Sequence, residues 1–384
     1  MNPDRIRVLT AVPLCDGHDS PIHTINRELV RHGVEVVYLG YHRSARCIAC
    51  AAVQEDVDAV GISSYNGGHV EFFAEVLECL KSKGAGDIRV FGGGGGTITQ
   101  VDAEAMYAAG VDRLFFAGTS LSEIIEQILH RYAKGGKEAL VTNPRTIDTE
   151  RYLSKILTKT ITKIMDTATV AELENTFRSK HPLSIGIAGP GGVGKTTLID
   201  ELVLRFLAAH PDSRIAILLN DPTLAGGGAL LADRASMVYA LDQRVFIRSL
   251  ASAAGPNGLC ASTDAAAHLL KVWDRGGLRF DLILVETVGL GQQDMPFDYG
   301  LVDRSVMVMG PVYGAPLQLQ KIAMLDLADM VVINKSDLPT ARIAANELRQ
   351  RLDQQRRQTL IATVAKRHAD PGVDELFRRL VHGQ

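Results

Sequence analysis

An α/β protein with two doubly wound parallel sheets in succession is predicted by three features. Short apolar runs alternate with helix-length stretches over residues 1–133 and again over 183–384. The connections between them are short, which favours parallel strands joined by right-handed crossovers. A glycine-rich phosphate-loop motif stands at the head of the second series.

In the first series, strands are expected at 6–12, 34–39, 59–63, 88–91 and 111–116. Helices are expected near 22–32, 44–54, 69–82, 101–109 and 121–132. Five strands in this length predict a flavodoxin-like (Rossmann-type) domain, whose ligands bind at the carboxyl ends of the strands. Three distinctive segments fall there, 16–21, 63–69 and the glycine run 92–96. Residues 134–182 are polar and rich in Lys and Thr, and read as a helical linker with helices at 152–163 and 170–179. Its Lys155, Lys159 and Lys163 form one helical stripe, expected to be a solvated face. In the second series, strands are expected at 183–188, 214–219, 282–286, 305–309, 330–334 and 359–363. Helices are expected near 195–209, 228–240, 262–275, 317–326, 340–356 and 373–381.

The composition agrees. With 384 residues, 46% apolar and 22% charged, the chain suits two or three globular domains and is neither disordered nor fibrous. A net charge of −3 supplies no global basic field, so neither nucleic acid nor an anionic membrane is expected as a partner. Five cysteines are too few for a disulfide scaffold and fit a reducing compartment. No apolar run reaches the roughly 20 residues that span a bilayer, and the first residues lack a signal-peptide core. A cytoplasmic location is expected. Thirty-six glycines in local clusters point to backbone brought close to ligands. Cys47 and Cys50 spell C-x-x-C inside a helix without flanking metal ligands and read as packed or idle thiols rather than a redox pair, and Trp273 on an apolar helix face reads as core.

Gly189-Pro190-Gly191-Gly192-Val193-Gly194-Lys195-Thr196 satisfies G-x-x-x-x-G-K-S/T between a strand and a helix, and Thr197 follows it. Glycines let backbone N–H groups converge on phosphate oxygens. Lys195 is placed to bridge the β- and γ-phosphates and Thr196 to bind magnesium. Asn334-Lys335-Ser336-Asp337 ends an apolar strand. An Asp carboxylate there accepts from guanine N1–H and its exocyclic amine, a donor pair that adenine lacks. Asn334 can meet the Hoogsteen edge and the Lys335 stem can cover the ring. The segment 363–366 offers the Ala365 N–H to guanine O6. Acids at strand ends, Asp221 and Glu286, and Asp233 beyond, suit a hard cation that also binds phosphate. Gln292 and Gln293 lie past Gly289, where a loop residue can orient the attacking water, although a plain polar loop is an equal reading.

In the first series, Asp16-Gly17-His18-Asp19 follows the first strand. A carboxylate on His18 Nδ1–H would leave Nε2 free for a metal. The segments 63–69 and 92–96 converge on the same edge. His69 there is as well explained by a structural role as by a ligand contact.

Residues 1–133 resemble the cobalamin-binding domain of adenosylcobalamin-dependent acyl-CoA mutases, whose pattern is D-x-H-x-x-G, then S-x-L, then G-G. Asp16 and His18 match, while Pro21 stands where the family has Gly and Tyr65 where it has Leu. The resemblance implies cobalt ligation by His18. It also implies a cofactor tail passing Gly17, Ser63, Tyr65, Gly95, Gly96, Gly118 and Thr119. Residues 183–384 resemble the GTPases associated with methylmalonyl-CoA mutase. The matching strings are the phosphate loop, Asp221-Pro222-Thr223, the segment 227–234, the segment 286–292 and Asn334-Lys335-Ser336-Asp337. That resemblance implies catalytic roles for Lys195, Asp221, Glu286 and Gln292. It places magnesium at Thr196, Asp221, Asp233, Glu286 and Thr287, and nucleotide at Gly191, Gly192, Val193, Gly194, Lys195, Thr196, Thr197, Asn334, Lys335, Asp337 and Ala365. The order of the two parts is that of fused acyl-CoA mutases, whose acyl-CoA-binding barrel lies beyond the length of this chain.

The implied cofactors are adenosylcobalamin, GTP and Mg²⁺. The expected function is a GTP-hydrolysing cobalamin subunit, or chaperone, of a separately encoded acyl-CoA mutase, with no isomerisation by the chain alone. A homodimer is left open. So are a stand-alone cobalamin-delivery GTPase, a cobalamin sensor without turnover, and a docking module that has lost its cofactor.

Overall fold

The computed structural model describes residues 5–14, 16, 20–65, 67–133, 149–162, 181–224, 227–252, 258–289, 296–297, 300–311, 324–355 and 359–383. Gly17, His18, Lys163, Gln292, Gln293 and the helix expected at 170–179 lie outside the described residues. The chain forms two compact units. One is residues 1–167 with 222–235, and the other is 168–221 with 236–384.

The first unit begins with strands β1 (Arg7–Ala11), β2 (Glu35–Tyr38), β3 (Ala59–Ser63), β4 (Arg89–Gly93) and β5 (Arg113–Phe115). They alternate with helices α1 (Ser20–Arg31), α2 (Ala45–Gln54), α3 (His69–Ser82), α4 (Gln100–Ala109) and α5 (Leu121–Tyr132). The strands pair in parallel in the order β5-β4-β3-β1-β2, the predicted doubly wound order. Helices cover both faces, so β1, β2 and β3 are buried at every residue and read as continuous apolar runs. Leu29 and Val30 of α1 meet Ile125 and Ile128 of α5 over Val8, Val36 and Phe91. Helix starts are fixed by side-chain caps. Ser44 and Ser120 accept from the third helical N–H, and Thr99 and Asp102 form a reciprocal capping box.

Helix α6 (Thr149–Ile161) comes from the stretch that composition marks as a linker, and it packs on this unit. Leu153 and Leu157 are fully buried. Arg151 is buried between Asp56 and Asp87, 3.0 Å from each. Lys155 also reaches Asp87, at 3.7 Å, so this part of the Lys stripe faces an acid of the unit.

The second unit opens with β6 (Leu183–Ala188), α7 (Lys195–Ala209) and β7 (Ile215–Pro222). The chain then contributes β8 (Ala229–Leu231), and continues with β9 (Val245–Ser252), α8 (Thr263–Val272), β10 (Leu282–Glu286) and β11 (Arg304–Met309). Then come α9 (Met324–Leu327), β12 (Met330–Ile333), α10 (Ala341–Gln355), β13 (Thr359–Ala362) and α11 (Pro371–His382). The second sheet runs β13-β12-β11-β6-β10-β7-β9. Strand β9 replaces an expected loop, and Trp273 is buried as expected.

Strand β8 belongs to the first sheet. It pairs in parallel with β2 (Glu35↔Ala229, Val36↔Leu230, Val37↔Leu231) and makes a sixth strand. The helix expected at 228–240 is therefore replaced by a strand and two short 3₁₀ turns, Asp233–Ser236 and Tyr239–Leu241. The reason is tertiary. A side-chain carbon at Gly228 would overlap the carbonyl of Val30, so only glycine lets the chain pass the end of α1 onto the sheet edge. Leu230 then packs on the core of the first unit. Beyond the strand, Arg234 pairs with Glu55 at 3.1 Å, Glu55 with Arg7 at 2.7 Å, and Arg7 with Glu35 at 2.6 Å, all buried. Arg43 Nη2 donates to the carbonyl of Ala235 at 2.5 Å. This pairing overrides the weak local preference for helix.

Candidate functional sites

The phosphate loop joins β6 to α7. Gly189, Gly192 and Gly194 have φ of 154°, 73° and 92°, backbone that L side chains avoid. A side-chain carbon at Gly194 would stand 2.6 Å from Asn334 Nδ2, and one at Gly191 would stand 3.0 Å from the carbonyl of Gly289. Lys195, the first residue of α7, is buried. Its ammonium donates to the carbonyl of Pro190 at 3.4 Å and lies 3.9 Å from Glu286 Oε1. Thr196 Oγ1 donates to the same Glu286 oxygen at 2.9 Å. Lys195, Thr196 and Glu286 thus meet where β6 has β10 on one side and β11 on the other, the switch point at which open α/β sheets bind ligands. Val193 is buried and Thr197 is exposed on the first helical turn. Asp221 is buried at the end of β7, beside β10, and Thr287 follows Glu286 with its N–H on the carbonyl of Ile187 at 3.1 Å. Asp233 is half-buried in the first unit, where it opens a 3₁₀ turn.

The Asn334-Lys335-Ser336-Asp337 segment is clamped to this loop. Asn334 Nδ2 donates to the carbonyl of Val193 at 2.9 Å, and Lys335 Nζ to that of Gly192 at 2.6 Å. Asn334 Oδ1 accepts from Thr363 Oγ1 at 3.1 Å and from the Ala365 N–H at 3.0 Å. The amide expected to face guanine O6 is therefore held by Asn334 here. Asp337 Oδ2 pairs with Lys366 Nζ at 2.7 Å, and that hydrogen bond holds the carboxyl below the usual carboxylate range. An ionised Asp337 is what the two donors of the guanine edge require. The pairing of Lys366 with Asp337 is one that sequence reasoning missed, although Lys366 ends the segment 363–366 expected at O6.

The carboxyl edge of the first sheet is built differently. Asp16 is fully buried, and its carboxylate accepts the Tyr65 N–H. Ser63 ends β3, and the Ser64 N–H donates to the carbonyl of Gly93 at 2.9 Å. Four of the five consecutive glycines are required by the chain's own packing. A side-chain carbon at Gly92 would overlap Phe73 and the carbonyl of Ile62, one at Gly94 the carbonyl of Ser64, and one at Gly95 the Tyr65 ring. At Gly93 it would stand 2.8 Å from the carbonyl of Phe115. Gly96 (φ 100°) and Gly118 (φ 90°) face open space, the nearest atom to Gly96 being 3.7 Å away. A cavity of about 230 Å³ opens beside this run, lined by Pro21, Ile25, Ser63, Tyr65, Phe91 and Thr119 among others. It lies below the roughly 300–1,000 Å³ of pockets for drug-sized ligands, so it suits a flat bicyclic base and not a corrin ring. The apolar walls and open glycine backbone fit the cobalamin tail. His69 Nε2 lies 3.2 Å from Asp102 Oδ2, which ties α3 to α4.

The family model for Methylmalonyl Co-A mutase-associated GTPase MeaB matches residues 159–382, and that for the B12 binding domain matches residues 6–126. The chain belongs to this family of GTPases and carries a B12-binding domain ahead of the nucleotide unit. It binds and hydrolyses GTP, and cobalamin is its second cofactor. Fused isobutyryl-CoA mutase of Cupriavidus metallidurans is 36% identical over 399 residues, spanning 98% of this chain and 36% of that one. The protein of the same name from Geobacillus kaustophilus is 35% identical over 404 residues, with the same coverage of 98% and 36%. The chain thus spans about a third of the length of these relatives. The 2-hydroxyisobutanoyl-CoA mutase small subunit of Aquincola tertiaricarbonis is 35% identical over 136 residues, 35% of this chain and 98% of that subunit. Among the described residues no helix is long and apolar enough to cross a membrane.

Proposed function

We propose that the chain is the cobalamin-carrying G-protein subunit of an adenosylcobalamin-dependent acyl-CoA mutase, in which GTP hydrolysis gates the loading or protection of the cofactor in the cytoplasm. One observation carries this reading. The same chain has a phosphate loop clamped by Asn334 and Lys335 and a base-sized cavity at the carboxyl edge of a B12-binding sheet.

In the nucleotide unit the N–H groups of residues 191–197 wrap the phosphates. Lys195 leaves the carbonyl of Pro190 for the β- and γ-phosphate oxygens, and hydrolysis relies on positioning and electrostatics. Thr196 and Glu286 already share a hydrogen bond, and with Asp221 and Thr287 they form an oxygen donor set suited to Mg²⁺. Asp233, which opens a 3₁₀ turn after β8, is a further acid proposed for this magnesium set. Gln292 orients the attacking water by its place after Gly289. Asp337, ionised and paired with Lys366, selects guanine, with Asn334 and Ala365 on the opposite edge of the base.

In the cobalamin unit, His18 would be the cobalt ligand, in the same motif as Asp16 and Gly17. Ser63, Tyr65, Gly95, Gly96, Gly118 and Thr119 would hold the cofactor's tail. When bound, adenosylcobalamin supplies the radical that mutase chemistry uses. The protein's own contribution would be to hold the tail in the cavity lined by Ile25, Tyr65 and Phe91. The partner is a separately encoded large subunit that binds acyl-CoA, and the chain alone isomerises no acyl-CoA.

Spectroscopic titration with adenosylcobalamin tests the cofactor half. The chain should give a base-off spectrum, and His18→Ala should weaken binding and change that spectrum. An identical spectrum and affinity in the variant would remove the axial assignment. Co-purification with an acyl-CoA mutase large subunit tests the partner, and acyl-CoA turnover by the chain alone would overturn that part.

A further inference from the structure

Strand β7 reads Ile215-Ala216-Ile217-Leu218-Leu219-Asn220-Asp221-Pro222, and Asn220 breaks its apolar run. Ile215, Ile217 and Leu219 pack in the core of the second unit, so strand alternation turns Asn220 to the opposite face. The side chain is 1% exposed. Burying a carboxamide is unfavourable unless its donor and acceptor are both satisfied, and here both are. Nδ2 donates to the main-chain carbonyl of Glu286 at 2.8 Å. Oδ1 accepts from the Cys260 N–H at 2.8 Å and from Thr263 Oγ1 at 2.8 Å. A parallel bond runs from the Val288 N–H to the carbonyl of Gly258, at 2.8 Å. The end of β10 is thereby stitched to the loop 258–263 and the start of α8.

Glu286 shares its strand face with Leu282 and Leu284, which lie in the same core as α7, so its carboxylate leaves on the face opposite Asn220. There it accepts from Thr196 Oγ1. The carboxamide grips the backbone of Glu286 on one face of the sheet while the carboxylate meets the phosphate loop on the other. A packing role alone would be served by Val or Leu at position 220. Only a side chain with a donor on one end and an acceptor on the other can join these two segments.

We propose that Asn220 is a positioning residue for GTP hydrolysis, acting through Glu286, and this rests on the assignment of Glu286 to the nucleotide site. A shift of about 1 Å in a group near the reacting atoms costs on the order of 100-fold in rate. The effect should therefore fall on kcat, with nucleotide affinity little changed.

The test is steady-state GTP hydrolysis by the 384-residue chain, with GDP affinity measured alongside. Asn220→Asp keeps the acceptor for Cys260 and Thr263 and removes the donor to Glu286. Its kcat is expected to fall at least about tenfold, with KM for GTP and Kd for GDP within about threefold of the parent. A parental kcat, or a loss confined to KM, overturns the proposal. Thr263→Val keeps the side-chain shape and removes one of the two groups that orient the carboxamide, so it decides the matter if Asn220→Asp does not fold. A kcat lowered about threefold at unchanged KM is expected for it, and the parental kcat would overturn the proposal. Glu286→Gln, measured in parallel, separates the two ideas. If it abolishes hydrolysis while Asn220→Asp hydrolyses normally, the site assignment stands and the positioning role falls. If Glu286→Gln hydrolyses normally, the assignment falls first, and the positioning role with it.

Discussion

The carboxyl edges of the two sheets solve ligand binding in opposite ways. At the edge of the second sheet, polar atoms meet one another. Lys195 rests on the carbonyl of Pro190, Thr196 on Glu286, Asn334 on the carbonyl of Val193 and Lys335 on that of Gly192. At the edge of the first sheet, glycine backbone meets rings and carbonyls, as at Gly95 beneath Tyr65, around a cavity with largely apolar walls. A charged ligand such as GTP exchanges for hydrogen bonds already aimed at the site, so single side chains carry large shares of its chemistry. A bulky organic tail gains from buried area, so shape carries its binding and the loss of one atom matters less.

The largest expected effect tests the polar edge. Lys195→Ala should lower GTP hydrolysis by on the order of 1,000-fold, while adenosylcobalamin titration stays at parental affinity; a joint loss would dissolve the contrast. Next is the buried ion chain that anchors β8. Arg234→Met removes the buried guanidinium paired with Glu55 and should destabilise the cobalamin unit by about 2–3 kcal/mol in denaturant unfolding. A change below 0.5 kcal/mol would mean that β8 is held by its backbone ladder only. Gly95→Ala tests the shape-based edge. The added carbon overlaps the Tyr65 ring at a φ of 51°, so cobalamin affinity should drop about tenfold with GTP hydrolysis unchanged.

The smallest expected effect is a pH response away from both edges. Burial alone would raise the Asp112 carboxyl, but hydrogen bonds from Arg131 and Tyr132 outweigh it and hold the group below the usual range. A depressed folded value stabilises above the unfolded carboxylate pKa, about 3.9, and that stability disappears as pH falls through the folded value. Asp112→Asn should cost about 1 kcal/mol at pH 7 and flatten the loss of stability below about pH 4. Equal acid sensitivity in parent and variant would assign that limb to other carboxylates.

The same contrast governs what could be read from the sequence. The phosphate loop and the tetrapeptide Asn334-Lys335-Ser336-Asp337 that packs on it were legible because both depend on fixed local spacing of glycines, Lys, Thr, Asn and Asp. Strands β1 to β5 were legible as apolar runs between helices. Strand β8 was not, because Ala229-Leu230-Leu231 is three residues long and resembles a helix start; only the edge of β2, far away in sequence, makes it a strand. Strand β9 was missed because Arg248 interrupts its apolar run and yet is buried. The glycine run 92–96 was legible as a site marker but its cause was not, since Phe73, Ser64, Tyr65 and Phe115 explain most of it. Asn220 had a visible signal, a lone carboxamide in an apolar strand, whose meaning appears only with Cys260, Thr263 and Glu286 around it.

The sixth strand also limits how this polypeptide can be dissected. The chain leaves the cobalamin unit after residue 167, returns at 222 and leaves again after 235, so no single cut yields two intact halves. A fragment ending at 167 would bare the outer N–H and C=O groups of β2 and strip Arg234 from Glu55, an open sheet border that invites self-association. The complementary piece would carry an orphan strand with no sheet to join. Recombinant halves would be better made by supplying residues 222–235 to the cobalamin fragment through a short loop.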